Sequence, residues 1–285
     1  MSLRNRTHTI LEPYLRLPLE ASLILLTSTL GCSANWITAR FVGGLLGQHA
    51  PKLSSGDAET AVLGDGKDVA VVLVSWMRDL AFWKSEMRRA SGVDVGKLAE
   101  SGRFGYVDCL TTLSTMRPET VLSEMEKSIT SAISKVNQEE RKVVLVLDNP
   151  DILLALGLAS AQQLSTFVLK LRSQVHSTML VCSADSPLLA AATSDAGLSS
   201  TPIEAEAAAF VVQQAHAAQF VMSVRELDTG AARDVSGVLR VTRGGACYDC
   251  KGGEGGVDNV KEMEALYLVQ RDGNAKVFER GAGGA

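Results

Sequence analysis

The chain of 285 residues is 46% hydrophobic and 21% charged, within the range of globular proteins and long enough to bury a large core in one domain. Its formal net charge of −4 excludes a global attraction for nucleic acid, so any RNA contact needs a local basic patch or a basic partner. Aromatics are only 5% while Val, Leu and Ala dominate, which points to aliphatic strands under Ala- and Leu-rich helices.

The first apolar run, residues 21–30, is broken by Ser22, Thr27, Ser28 and Thr29 and is too short to span a bilayer. It reads as a buried strand over 21–28. A Gly-containing turn over 30–34 leads to a helix of about three turns from Asn35, with Trp36, Ile37, Ala39, Phe41 and Val42 as its apolar contacts. Residues 51–68 carry Pro51, Ser54, Ser55, Gly56, Gly64 and Gly66 and are expected to form a flexible surface loop.

A second buried strand is expected over 69–75 (VAVVLVS), followed by a helix that Asp79 caps and that carries Leu80, Phe82, Trp83 and Met87 at spacings near three and four. A short helix over 95–101, a strand over 104–107 and a helix from Pro118 to about 136 come next. The run VVLVLD at 143–148 is the most β-rich in the chain; a helix over 159–175 and a strand over 177–183 follow it. Five strands with helical crossovers predict an α/β fold with a mainly parallel sheet. After a helix over 204–217, the segments 219–227, 236–243, 264–270 and 275–280 read as shorter strands joined by Gly- and Asp-bearing turns, expected to be antiparallel hairpins. The glycines of 251–260 suggest a loop, and 281–285 a disordered tail.

The strand-to-helix turn at 27–37 is where a phosphate-binding loop would sit. Such a loop needs G-x-x-x-x-G-K-[ST], so that backbone N–H groups, a Lys and a helix N-terminus converge on phosphate. The sequence there reads TSTLGCSANWI. Gly31, Cys32, Ser33, Ala34 and Asn35 supply one glycine, no lysine, and Ala34-Asn35 where Gly-Lys would be required. Asp148, at the end of VVLVLD, stands where a magnesium-holding carboxylate would be expected, although an Asp at a strand end also suits the turn formed by Asn149 and Pro150.

Five cysteines, an odd number, are scattered through the chain, which fits reduced thiols in the cytoplasm or nucleus. Cys247 and Cys250 form one C-x-x-C pair with no second pair to complete a zinc site, and the four histidines show no metal spacing, so no cofactor and no metal is expected. Trp76, Arg78, Phe82 and Trp83 cluster after the second strand, either as strand-end packing or as an interface anchor. Arg225, Arg233, Arg240 and Arg243 lie in or between the late strands, where they are candidates for phosphate-backbone contact, diluted by Glu226, Asp228 and Asp234.

Four segments in order, LILLTSTLGCSANWI, VVLVSWMRDLAFWKSEMRRASGVDV, KLAESGRFGYVDCLT and VVLVLDNPDILLALG, resemble the elongator complex protein 6 family over most of the length. The resemblance implies one RecA-like domain over 1–285, a three-layer α/β/α fold without the phosphate-loop motif. It implies a non-catalytic subunit of the Elongator complex that forms a hetero-hexameric ring with the homologous fourth and fifth subunits, contacts the remaining subunits, binds transfer RNA and supports wobble-uridine modification. A cytoplasmic protein, present also in the nucleus and not in membranes, would follow. The competing readings are a RecA/KaiC-like nucleotide-binding or recombination-paralogue ATPase with a divergent site, and a redox or metal module on Cys247 and Cys250.

Overall fold

The computed structural model describes residues 10–47, 69–113, 119–138, 141–192, 200–230, 232, 234–247 and 260–279. The expected loops at 51–68 and 251–259, the tail at 281–285, Pro118, Arg233 and Cys250 lie outside the described residues.

Among the described residues, nine strands form one sheet in the order β3-β2-β4-β5-β1-β6-β7-β8-β9. They are β1 (Leu23–Ser28), β2 (Val69–Ser75), β3 (Phe104–Asp108), β4 (Lys142–Asp148), β5 (Ser177–Ser183), β6 (Phe220–Arg225), β7 (Gly237–Arg243), β8 (Met263–Val269) and β9 (Ala275–Glu279). The strands from β3 through β6 in that order pair in parallel, and β6 to β9 pair antiparallel. The mainly parallel sheet with antiparallel C-terminal strands is as the sequence predicts.

The described helices are α1 (Asn35–Leu46), α2 (Leu80–Ser91), α3 (Val95–Glu100), α4 (Cys109–Leu113), α5 (Val121–Val136), α6 (Ile152–Ala155), α7 (Ala161–Arg172), α8 (Ser186–Leu189) and α9 (Pro202–Ala217). The short α4, α6 and α8 escape periodicity, being only one turn or so long. Helix α7 starts later than the sequence suggests because Ser160 forms a capping box with Gln163, and α9 starts earlier because Thr201 forms one with Glu204, with Pro202 in the first turn. Asp79 caps α2 as expected, its carboxylate accepting the Phe82 N–H at 2.8 Å.

Burial along each strand reports what covers it. Every residue of β2 is buried, as required of a strand with helices on both faces. On β1, Ile24 and Leu26 join one core with Trp36, Ile37 and Phe41 of α1 and Trp83 and Met87 of α2. Leu23 and Leu25 join the opposite core with Ile129 of α5, Leu164 and Phe167 of α7 and Phe210 of α9. Strand β6 instead alternates buried and half-buried residues, and the late strands contribute Leu239, Val241, Ala265, Tyr267 and Val277 to the first core alone. The α/β/α sandwich thus covers the parallel half, and the antiparallel strands extend one of its faces. A short 3₁₀ turn, Glu12–Tyr14, closes that face, with Tyr14 packed edge-on against Phe220 at 5.9 Å and its hydroxyl donating to the Lys261 carbonyl.

Candidate functional site

In an open parallel sheet, ligands bind beyond the carboxyl ends of the strands, which here carry the turn after β1, Ser75, Asp108, Asp148, Ser183 and Arg225. The turn after β1 is built by its own chain rather than left open. The Thr29 N–H donates to Val224 O at 3.2 Å and the Cys32 N–H to Thr29 O at 2.9 Å. The Leu30 N–H is taken by Asp185 Oδ1 at 2.6 Å, and the Asn35 N–H by Ser33 Oγ at 3.2 Å. Gly31 has φ +88°, and a Cβ placed on it would stand 2.2 Å from Glu226 Oε1, so the glycine serves a left-handed turn with a carboxylate pressed against it.

Beneath the turn, Cys32 is buried and its Sγ donates to Ser236 O at 3.6 Å. The Tyr267 phenol lies alongside, its pKa raised by burial and by a hydrogen bond with Cys32. Its ring sits 5.1 Å from that of Trp36. Of the five residues at the degenerate loop position, Gly31 and Ser33 are exposed, Asn35 is half-buried, and Cys32 and Ala34 are core. A phosphate cradle requires convergent N–H donors and positive charge. This turn has an amide committed to a carboxylate and a second carboxylate on its glycine, two anions where a triphosphate's charge would need compensation.

Asp148 is buried at the end of β4. It accepts the Ser75 hydroxyl from β2 at 2.6 Å through Oδ2, while Oδ1 has no partner among the described residues. Ser75 Oγ in turn accepts the Arg78 N–H at 3.0 Å. The carboxylate therefore braces the turn after β2. The turn after its own strand is made by Asn149 at φ +57°, and Asp151 Oδ2 accepts the Ser183 N–H at 3.0 Å from β5. Burial pushes the Asp148 carboxyl up to about 6, against the lowering effects of the Ser75 bond and the Arg78 charge, with Asp151 raising it further. Strand β5 separates β4 from β1, so about 10 Å of sheet lies between Asp148 and the loop. Among the described residues no three His, Cys, Asp or Glu side chains group as a metal site.

Of the four residues read as an interface anchor, Trp76 and Trp83 are both 0% exposed. Trp76 Nε1 donates to Met125 Sδ at 3.4 Å, and its ring meets Phe167 edge-on. Both tryptophans are core, so an interface role for them is corrected: at the strand end, apolar side chains find more area under α5, α7 and α2 than at the surface. Arg78 is exposed with its guanidinium 5.1 Å over the Phe82 ring, and Tyr106 donates to the Arg78 carbonyl at 2.6 Å.

Arg225, Arg240 and Arg243 are not gathered into one patch. Arg225 and Arg240 stand on the same face of the antiparallel strands, where Arg225 pairs with Asp228 at 2.5 Å and lies 3.8 Å from Glu264, the cross-strand neighbour of Arg240. Arg243 has the opposite parity at the strand end, and its Nε donates to Val260 O at 3.3 Å. Cys247 is half-buried and its C-x-x-C partner is outside the described residues.

Asp185 and Glu226, the two acids that close the loop, were not singled out as a site in the sequence. They lie roughly 155 and 195 residues beyond it, and no local pattern announces such a contact. Leu30, an apolar residue in a turn, is 86% exposed and was the one legible signal of an unusual surface.

The comparisons accord with this architecture. A family model described as Elongation complex protein 6 matches residues 67–252. No curated protein sequence matches the chain significantly. Among solved structures, a KaiC-like protein from the hyperthermophilic archaeon Pyrococcus horikoshii superposes with a TM-score of 0.50 at 15% identity, covering 91% of this chain and 90% of that one. At that identity the likeness concerns the fold.

Proposed function

The chain belongs to the Elongation complex protein 6 family, and from that premise we propose that it works as a non-catalytic assembly subunit of the Elongator complex. In this reading its RecA-like domain joins the homologous fourth and fifth subunits in a hetero-hexameric ring. The ring binds transfer RNA and supports wobble-uridine modification carried out elsewhere in the complex, in the cytoplasm and also the nucleus. The observation that carries the non-catalytic part is the turn after β1, where Asp185 takes the Leu30 amide and Glu226 lies against Gly31. A fold that presents carboxylates at its phosphate position is suited to contacts other than nucleotide. Among the described residues no helix is long and apolar enough to cross a membrane.

Co-expression of the chain with the fourth and fifth subunits, followed by sizing of the purified product, tests the assembly reading. A stoichiometric hetero-oligomer is expected, and a chain that elutes alone would overturn it. Equilibrium binding of labelled ATP with magnesium to the isolated chain separates this reading from a divergent ATPase. No saturable binding is expected; tight magnesium-dependent binding abolished by Asp148→Ala would favour the ATPase. Transfer RNA contact is proposed for the exposed Arg240 and its same-face neighbour Arg225, with Arg243 and Arg233 as further candidates.

A further inference from the structure

The carboxyl rim of the parallel strands exposes large apolar side chains among its charged ones. Leu30 after β1, Met77 after β2 and Leu110 after β3 are all exposed there. Around them stand Asp79, Asp108, Asp185, Glu226 and Asp228 against Arg78 and Arg225, and Asp228 is already paired with Arg225. Neither Glu226 nor Asp185 makes an ion pair among the described residues. Leu30 is not a frayed tip: hydrogen bonds hold its own amide and those of its neighbours Thr29 and Cys32. A large apolar side chain held at 86% exposure on a braced turn costs hydration free energy that burial against another surface would return.

We infer that this rim, centred on Leu30, Asp185 and Glu226, is a docking surface for a protein partner that presents an apolar pocket bordered by Arg or Lys side chains. The inference rests on the assembly reading above and adds to it which residues are covered and by what chemistry. Charge complementarity selects the occupant. A second copy docked through the same rim would bring acid against acid, and a nucleic acid would bring phosphates against Asp185 and Glu226, both repulsive. A guanidinium between the two carboxylates satisfies charges that the fold leaves unpaired, and Leu30 supplies the buried centre that such an interface needs.

The test uses the purified complex with its partner subunits. Leu30→Asp and Glu226→Lys are each expected to weaken association at least tenfold while leaving the thermal unfolding of the isolated chain unchanged, since both side chains are exposed. Glu226→Gln should flatten the salt dependence of association. A photo-crosslinking amino acid at position 30 is expected to mark a partner protein at a segment containing Arg or Lys. Crosslinking to a second copy or to RNA, or no crosslink with unchanged affinity in all three variants, would overturn the inference while leaving subunit membership intact. Failure of the wild-type chain to assemble at all would instead strike the assembly reading.

Discussion

Replacing Asp148 by Asn is expected to stabilise the protein by an amount that grows as pH rises from about 4 to about 6 and then levels off. The carboxyl is raised from 3.8 to about 6 in the folded chain, chiefly by burial, so the native state holds a proton that the unfolded chain releases. For a group raised in this way, stability is greatest below the unfolded value and is lost as pH climbs through the folded one. With each pKa unit worth about 1.4 kcal/mol, the cost of ionising Asp148 is about 1 kcal/mol at pH 4.5 and about 3 kcal/mol at pH 7.5 and above. Asn keeps an acceptor for the Ser75 hydroxyl and removes the charge. Urea unfolding of both proteins across that range should show the Asn variant gaining about 2 kcal/mol over wild type between the two ends. Near neutral pH the gain corresponds to a rise of several degrees in Tm. A difference between the two proteins that stays constant with pH, or an Asn variant that is less stable at pH 7.5, would show that burial does not raise the Asp148 carboxyl above its ordinary value.

Trp76→Ala should cost about 3–5 kcal/mol in the same unfolding assay, because the ring is fully buried and truncation leaves a cavity; a loss under 1 kcal/mol would place the ring outside the core. Ser160→Ala removes half of a capping box and is expected to lower stability by about 1 kcal/mol, read as a shift in the urea midpoint with an unchanged slope. Arg240→Glu, made in the assembled complex, should weaken transfer RNA binding severalfold and reduce its salt dependence. Unchanged affinity would assign RNA contact to other subunits.

The sheet was legible because its strands are apolar runs of strand length bounded by turn residues, and VAVVLVS and VVLVLD need no context to be read as buried on both faces. Boundaries moved where a single residue's backbone decided them. Residue 21 was expected inside β1, but Ala21 sits at φ +58° and donates to the His176 carbonyl, so the strand begins at Leu23. Trp76 and Trp83 show the limit of composition: an aromatic after a strand is equally suited to a core or an interface, and only the helices packed against it decide, α5 and α7 over Trp76 and α1 beside Trp83. The absence of the phosphate-loop motif was visible in the missing lysine and glycine. What replaced it was not, because Asp185 and Glu226 reach the turn only through the pairing of β1 with β5 and β6.

That pairing also sets a timetable. β1 lies in mid-sheet, between β5 and β6, so a strand made before all the other described strands is among the last to gain both neighbours. Its partner segments begin about 150 and 190 residues after it ends, which at 5–20 residues per second is a wait of roughly 10–40 s. During that interval Leu23, Ile24, Leu25 and Leu26, all fully buried in the finished fold, have no sheet to join. The nascent chain therefore carries an unpaired apolar strand until β5 and β6 have both emerged.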